Sequence, residues 1–90
     1  MLRVLEELRL SFAIGQAVYD RRAELGISQE ELARRTGLTR PEVSGIELGA
    51  ILPALPLLAR LARGLEAEWE LTLGGVACSV VLRGGSGRTS

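Results

Sequence analysis

The side chains that make or break bonds are scarce in this chain. It has no His, and its one Cys, Cys78, has no second thiol to join. An imidazole base, a nucleophile–His relay, a Cys/His zinc cluster and an internal disulfide are therefore all excluded. What the chain holds in quantity is ionic: eleven Arg and no Lys, against ten Glu and one Asp. A guanidinium forks onto carboxylates and phosphates through two parallel hydrogen bonds. The legible chemistry is recognition, and the expectation is a protein that is not an enzyme and uses no cofactor and no metal. A net charge of zero gives no bulk attraction to a polyanion, so recognition must rest on where individual arginines stand.

Those side chains need elements to hold them. Ninety residues suit one small domain, and a hydrophobic share of 47% suits a packed core. The expected division is a domain over residues 1–83 and a flexible Gly/Ser-rich tail over 84–90. Apolar residues recur at helical spacing from Leu2 to Leu25. This stretch is either one long helix or two, broken near Ser11 or Gly15, with Gly26 closing it. Ser28-Gln29-Glu30-Glu31 has capping-box spacing and opens a second helix that stops at Gly37. Thr39 caps a third helix with Pro41 in its first turn, and Gly49 ends it. A fourth helix runs from Pro56 through Leu65. The period then changes to two: Glu68–Leu73 alternates, Gly74-Gly75 is a two-residue hairpin signal, and Val76–Leu82 reads as the return strand. No stretch approaches the length of a membrane span. The acidic N-terminal segment Met1–Glu7 lacks the apolar run of a signal peptide, so the expectation is a cytoplasmic protein.

Between Gln29 and Ile46 the residue types obey a steric logic. Ala33 is small where a second helix must cross. Gly37 suits a left-handed turn. Leu38, Val43 and Ile46 pin two short helices at a fixed angle. This is a helix-turn-helix unit, whose second helix is shaped for a DNA major groove.

The run Leu25-Gly26-Ile27-Ser28-Gln29-Glu30-Glu31-Leu32-Ala33-Arg34-Arg35-Thr36-Gly37-Leu38-Thr39, continued by Ile46-Glu47 and Gly49, resembles the Xre-type, phage-repressor-like helix-turn-helix family over roughly residues 14–65. The resemblance implies a mainly α fold: four to five helices of a lambda-repressor-like DNA-binding domain, here with a C-terminal two-stranded β-hairpin at 68–82. It also implies a dimeric repressor on palindromic double-stranded DNA. The segment Pro53–Arg63 followed by Ala67–Leu73 is similar to short proteins of the HigA antitoxin group, which pair with RelE-like toxins and repress their own operon. Carried onto this chain, the family pattern makes Arg22 and Glu47 a buried ion pair locking the first helix to the third. It makes Gln29 a phosphate clamp and Thr39 a cap that can touch phosphate. It turns Arg40, Pro41, Glu42, Ser44 and Gly45 toward base edges, with Arg40 suited to guanine and Glu42 to a cytosine amino group. Gly45 and Leu48 stand where relatives often carry polar or basic residues.

Several residues have two readings. Arg34 and Arg35 either face phosphate or are solvated cations at a helix C-terminus. Trp69 is either an interface anchor or a lid on the core. Ile51 and Leu52 either meet a partner or pack on the fourth helix. The leucines of residues 2–10 cover either the domain's own core or a second chain, and the Val-rich hairpin is the candidate dimer edge. The alternative function is a protein-interaction module on a helix-turn-helix scaffold, toxin-neutralising or adaptor, with weak or lost DNA binding.

Overall fold

The computed structural model describes residues 2–74 and 78–84. Four helices and one hairpin follow in order: α1 (Leu2–Leu25), α2 (Gln29–Thr36), α3 (Arg40–Glu47), α4 (Leu55–Gly64), β1 (Ala67–Leu73) and β2 (Cys78–Gly84). The helix count is thus four, because residues 2–25 form one unbroken helix. Gly15 does not break it. A Cβ there would lie 2.6 Å from the Glu47 carbonyl oxygen, so Gly15 is the point where the end of α3 crosses α1 backbone to backbone. The end of α1 is a Schellman motif: Ile27 N–H reaches the Arg22 carbonyl (3.2 Å), Gly26 N–H reaches that of Ala23 (3.1 Å), and Gly26 takes φ 69°.

The two short helices are bounded as their capping residues require. Ser28 Oγ accepts the Glu31 N–H at 3.0 Å. Gly37 ends α2 in the left-handed region at φ 74°. Thr39 and Glu42 form a reciprocal capping box at the start of α3. Eight residues are too few for a helix to stand alone in water. Packing therefore holds both: Leu32 and Ala33 of α2 and Val43 and Ile46 of α3 are buried with Ile14, Val18, Leu58, Leu61 and Leu65 in one core.

The hairpin covers one side of that core. Its antiparallel register runs from Ala67↔Gly84 through Trp69↔Leu82 and Leu71↔Val80 to Leu73↔Cys78. Four residues separate Leu73 from Cys78, so this register differs from the one a two-residue Gly74-Gly75 turn would set. Gly75, Val76 and Ala77 lie outside the described residues, as do 85–90 of the expected tail. Gly84, expected to begin that tail, is the last residue of β2. Trp69 is a lid: its indole N–H donates to the Leu58 carbonyl at 2.7 Å and its ring packs on the core.

Arginines fasten these layers through main-chain oxygens left over at helix ends. Arg21 donates to the Leu65 carbonyl (2.9 Å), Arg35 to that of Gly64 (3.0 Å), and Arg60 to that of Thr36 (2.6 and 3.0 Å). Arg34 and Arg35 both engage Glu31, whose carboxyl they hold down at about 2. Arg34 remains 71% exposed, whereas Arg35, 27% exposed, is held between Glu31 and the Gly64 carbonyl.

Candidate nucleic-acid interface

One buried carboxylate joins the three helices that shape the site. Arg22 of α1 donates from Nε to Glu47 Oε2 (2.7 Å) and from Nη2 to Oε1 (3.0 Å), a fork on both oxygens. Its third nitrogen group, Nη1, donates to the Ile27 carbonyl at 3.0 Å, and the Tyr19 ring lies 5.3 Å from its guanidinium carbon. The Glu47 hydrogen bonds hold the Arg22 guanidinium above its ordinary pKa, against the opposing effect of burial. The Glu47 side chain is only 5% exposed. The ion pair inferred from the family pattern is therefore present, and it sets the angle between α1 and α3.

Gln29 has a partner inside the protein. Its amide nitrogen donates to Glu47 Oε1 at 2.9 Å, the oxygen Arg22 Nη2 also uses. A buried carboxylate oxygen has room for a second donor, and this bond takes one of the two N–H groups of the Gln29 amide. Gln29, Ser44, Arg22 and Glu47 line one pocket of about 330 Å³ together with Gln16, Tyr19 and Leu48. Nothing in the linear sequence placed Gln16 and Tyr19 there, though both lie on the face of α1 that carries Arg22.

At the other end of α3, Thr39 and Glu42 close on each other. Thr39 N–H donates to Glu42 Oε1 (2.8 Å), Thr39 Oγ1 donates to the same oxygen (3.1 Å), and Glu42 N–H donates back to Thr39 Oγ1 (3.2 Å). These bonds, the backbone one first, lower the Glu42 pKa. Glu42 Oε1 is thus turned back onto the helix start, while the residue itself stands exposed. Arg40 and Pro41 stand exposed on the first turn beside it. Arg40 has no ion-pair partner among the described residues. Ser44 is half-buried one turn further on. Gly45 does not simply leave a gap. A Cβ at that position would sit 2.7 Å from Ile51 Cδ1, so the loop after α3 leans onto it. Ile51 thus leans on α3, a contact that neither of its two readings, a partner or the fourth helix, included.

What these parts offer together is a short helix with a rigid cap, a free guanidinium at its start and a polar and apolar rim behind. A model of the helix-turn-helix (HTH_3) family matches residues 18–70. The chain belongs to the Xre-type helix-turn-helix family. It is similar to an HTH-type transcriptional regulator of Methanothermobacter thermautotrophicus, 45% identical over 51 residues, which are 57% of this chain and 74% of that protein. It is also similar to antitoxin HigA1 of Mycobacterium tuberculosis, 36% identical over 69 residues, 77% of this chain but 46% of the longer relative. Among solved structures it resembles the restriction-modification controller protein C.AhdI of Aeromonas hydrophila (TM-score 0.60, 36% identity, 62% of this chain and 85% of that one). It also resembles an HTH_3 transcriptional regulator of Vibrio cholerae (TM-score 0.66, 27% identity, 69% and 35%). The chain is a DNA-binding transcriptional regulator. No helix among its described residues is long and apolar enough to cross a membrane.

Proposed function

We propose that this regulator is a cytoplasmic repressor that works by occlusion, two copies holding a palindromic promoter site through the exposed face of α3. The observation that carries the reading is the free Arg40 guanidinium on the first turn of a helix whose start is locked by Thr39 and Glu42. A guanidinium held there suits bidentate contact with guanine O6 and N7. Pro41 and Ser44 share that face, and Gln29 and Thr39 flank it with the backbone N–H groups of two helix starts. The hairpin is the proposed dimer contact. A two-stranded ribbon is marginal alone, and Leu73 and Val81 are 68% and 42% exposed on it. A twofold pair would present two copies of α3 about one DNA turn apart.

The test is Arg40→Ala in a mobility-shift and footprinting assay. Losing a bidentate guanine contact should cost about 1–3 kcal/mol per half-site while circular dichroism stays unchanged. Unchanged operator affinity would remove Arg40 from the interface.

A second reading has its own observation. Leu48 (71%), Leu52 (42%) and Leu55 (74%) are exposed around the link from α3 to α4, an apolar surface of the kind partners cover. Likeness to the HigA1 antitoxin supports a RelE-like toxin as that partner. A salt titration of nonspecific DNA affinity separates the two. Phosphate contact must give a steep fall with salt, and a flat response favours the protein-binding module.

A further inference from the structure

The α3 face has one position with no side chain of its own. Gly45 lies one turn beyond Pro41 and next to Ser44, so its outward direction shares the exposed face of the helix. The space a side chain would fill is taken by Ile51: Cδ1 lies 2.7 Å and Cγ1 3.2 Å from where a Cβ of residue 45 would be. The chain is tied down there by its own backbone. Ala50 N–H donates to the Gly45 carbonyl at 2.9 Å and Ile51 N–H to the same oxygen at 3.3 Å. Ile51 remains 37% exposed, so part of its apolar surface faces outward from this seat.

We infer that Ile51 is a specificity-determining residue, which reads the C5-methyl group of a thymine in the major groove from the seat left open at Gly45. The methyl is the one apolar feature on a base edge in that groove. An aliphatic side chain seated against Gly45 pairs with it as hydrogen-bonding side chains pair with the polar edges. The inference rests on the Arg40–Gly45 face being the one that meets DNA. It explains why a glycine in mid-helix, unfavourable by about 1 kcal/mol against Ala, stands at this position: any larger residue displaces the isoleucine.

The experiment uses a duplex selected by the wild-type protein from a randomised pool. Each thymine is replaced singly by deoxyuridine, which deletes only the methyl. Affinities are measured for wild type, Ile51→Ala and the milder Ile51→Val, with thermal melts to confirm folding. One thymine per half-site should lose about fourfold in wild-type affinity on demethylation, the worth of one buried methyl. The same replacement should cost Ile51→Ala nothing, and the salt dependence of the two proteins should match because no phosphate contact changes. The inference is overturned if no deoxyuridine substitution weakens the wild type, or if it weakens Ile51→Ala equally. It is also overturned if Ile51→Ala changes the salt slope. If Ile51→Ala does not fold, an undiminished methyl effect in Ile51→Val together with an unchanged affinity overturns it. If the wild type selects no duplex at all, the DNA-facing reading falls with it, an outcome distinct from binding without a methyl effect.

Discussion

Removing Arg22 should reveal how far the fold depends on one carboxylate. Glu47 is 5% exposed and takes two hydrogen bonds from Arg22 and one from Gln29. Arg22→Ala removes the one cation bonded to it among the described residues and leaves a buried anion with the Gln29 amide. Breaking a buried pair from one side costs about 3–5 kcal/mol. The surviving amide bond places this variant near the lower end, at roughly 3 kcal/mol. A chain of this length has a total stability of roughly 5–13 kcal/mol, so the loss is a large fraction of the whole. In melting temperature it corresponds to about 12–24 °C. Glu47→Ala should cost less, roughly 2 kcal/mol. The stranded guanidinium is 15% exposed, keeps its bond to the Ile27 carbonyl and rests on the Tyr19 ring. Replacing both partners, as Arg22→Met with Glu47→Leu, should recover most of the loss, because no charge is then left buried. Urea unfolding followed by Trp69 fluorescence measures all three, since the indole is bonded to the core-lining helix at Leu58. An Arg22→Ala variant within 1 kcal/mol of wild type at neutral pH, taken as about the error of a surface substitution, would refute the account.

Gly15→Ala and Gly45→Ala should behave oppositely, although helix propensity favours Ala at both by about 1 kcal/mol. At Gly15 the new methyl meets the main-chain oxygens of Ile46 and Glu47, which cannot yield, so denaturation should show a loss of about 1–3 kcal/mol or more. At Gly45 it meets only the mobile end of Ile51, so stability should change by less than about 1 kcal/mol. Thr39→Ala removes the hydroxyl side of the α3 cap, leaving the residue 39 N–H on Glu42, and should cost about 1 kcal/mol by thermal melting. Glu31, held at about 2 from an ordinary 4.5 by Arg34 and Arg35, contributes stability that is present above 4.5 and is lost as pH falls toward 2. Glu31→Gln should therefore flatten the acid limb of the stability–pH curve while leaving its shape near neutrality unchanged.

Local steric and capping rules were written into the order of the residues. Ser28, Gly37, Thr39 and Gly49 mark helix ends because each answers a need of the backbone within three or four positions. Ala33, Val43 and Ile46 declare a helix crossing because only small and branched apolar groups fit one. Cations and bases were excluded or admitted by composition alone, since no fold can supply an imidazole the chain lacks. The destinations of long polar side chains were not legible. Arg35 had two readings, phosphate or solvent, and it ends on Glu31 and the Gly64 carbonyl, while no spacing pointed Arg60 to the carbonyl of Thr36. Gln29, which the resemblance makes a phosphate clamp, gives one amide N–H to Glu47, a bond no spacing announced.

The chain's order of residues thus determined that four to five helix segments and a hairpin form, where the capped helices stop, and that α3 carries its polar residues on one side. Tertiary structure alone decided that Gly15 is a crossing rather than a break, that Gly45 is a seat for Ile51, and that one carboxylate gathers Arg22 and Gln29. The physical reason is range. Caps and periodicity act over one or two turns, which a sequence displays directly. The partner of a guanidinium or a bare glycine is chosen by backbone oxygens and side chains from another element, brought near only when the core closes.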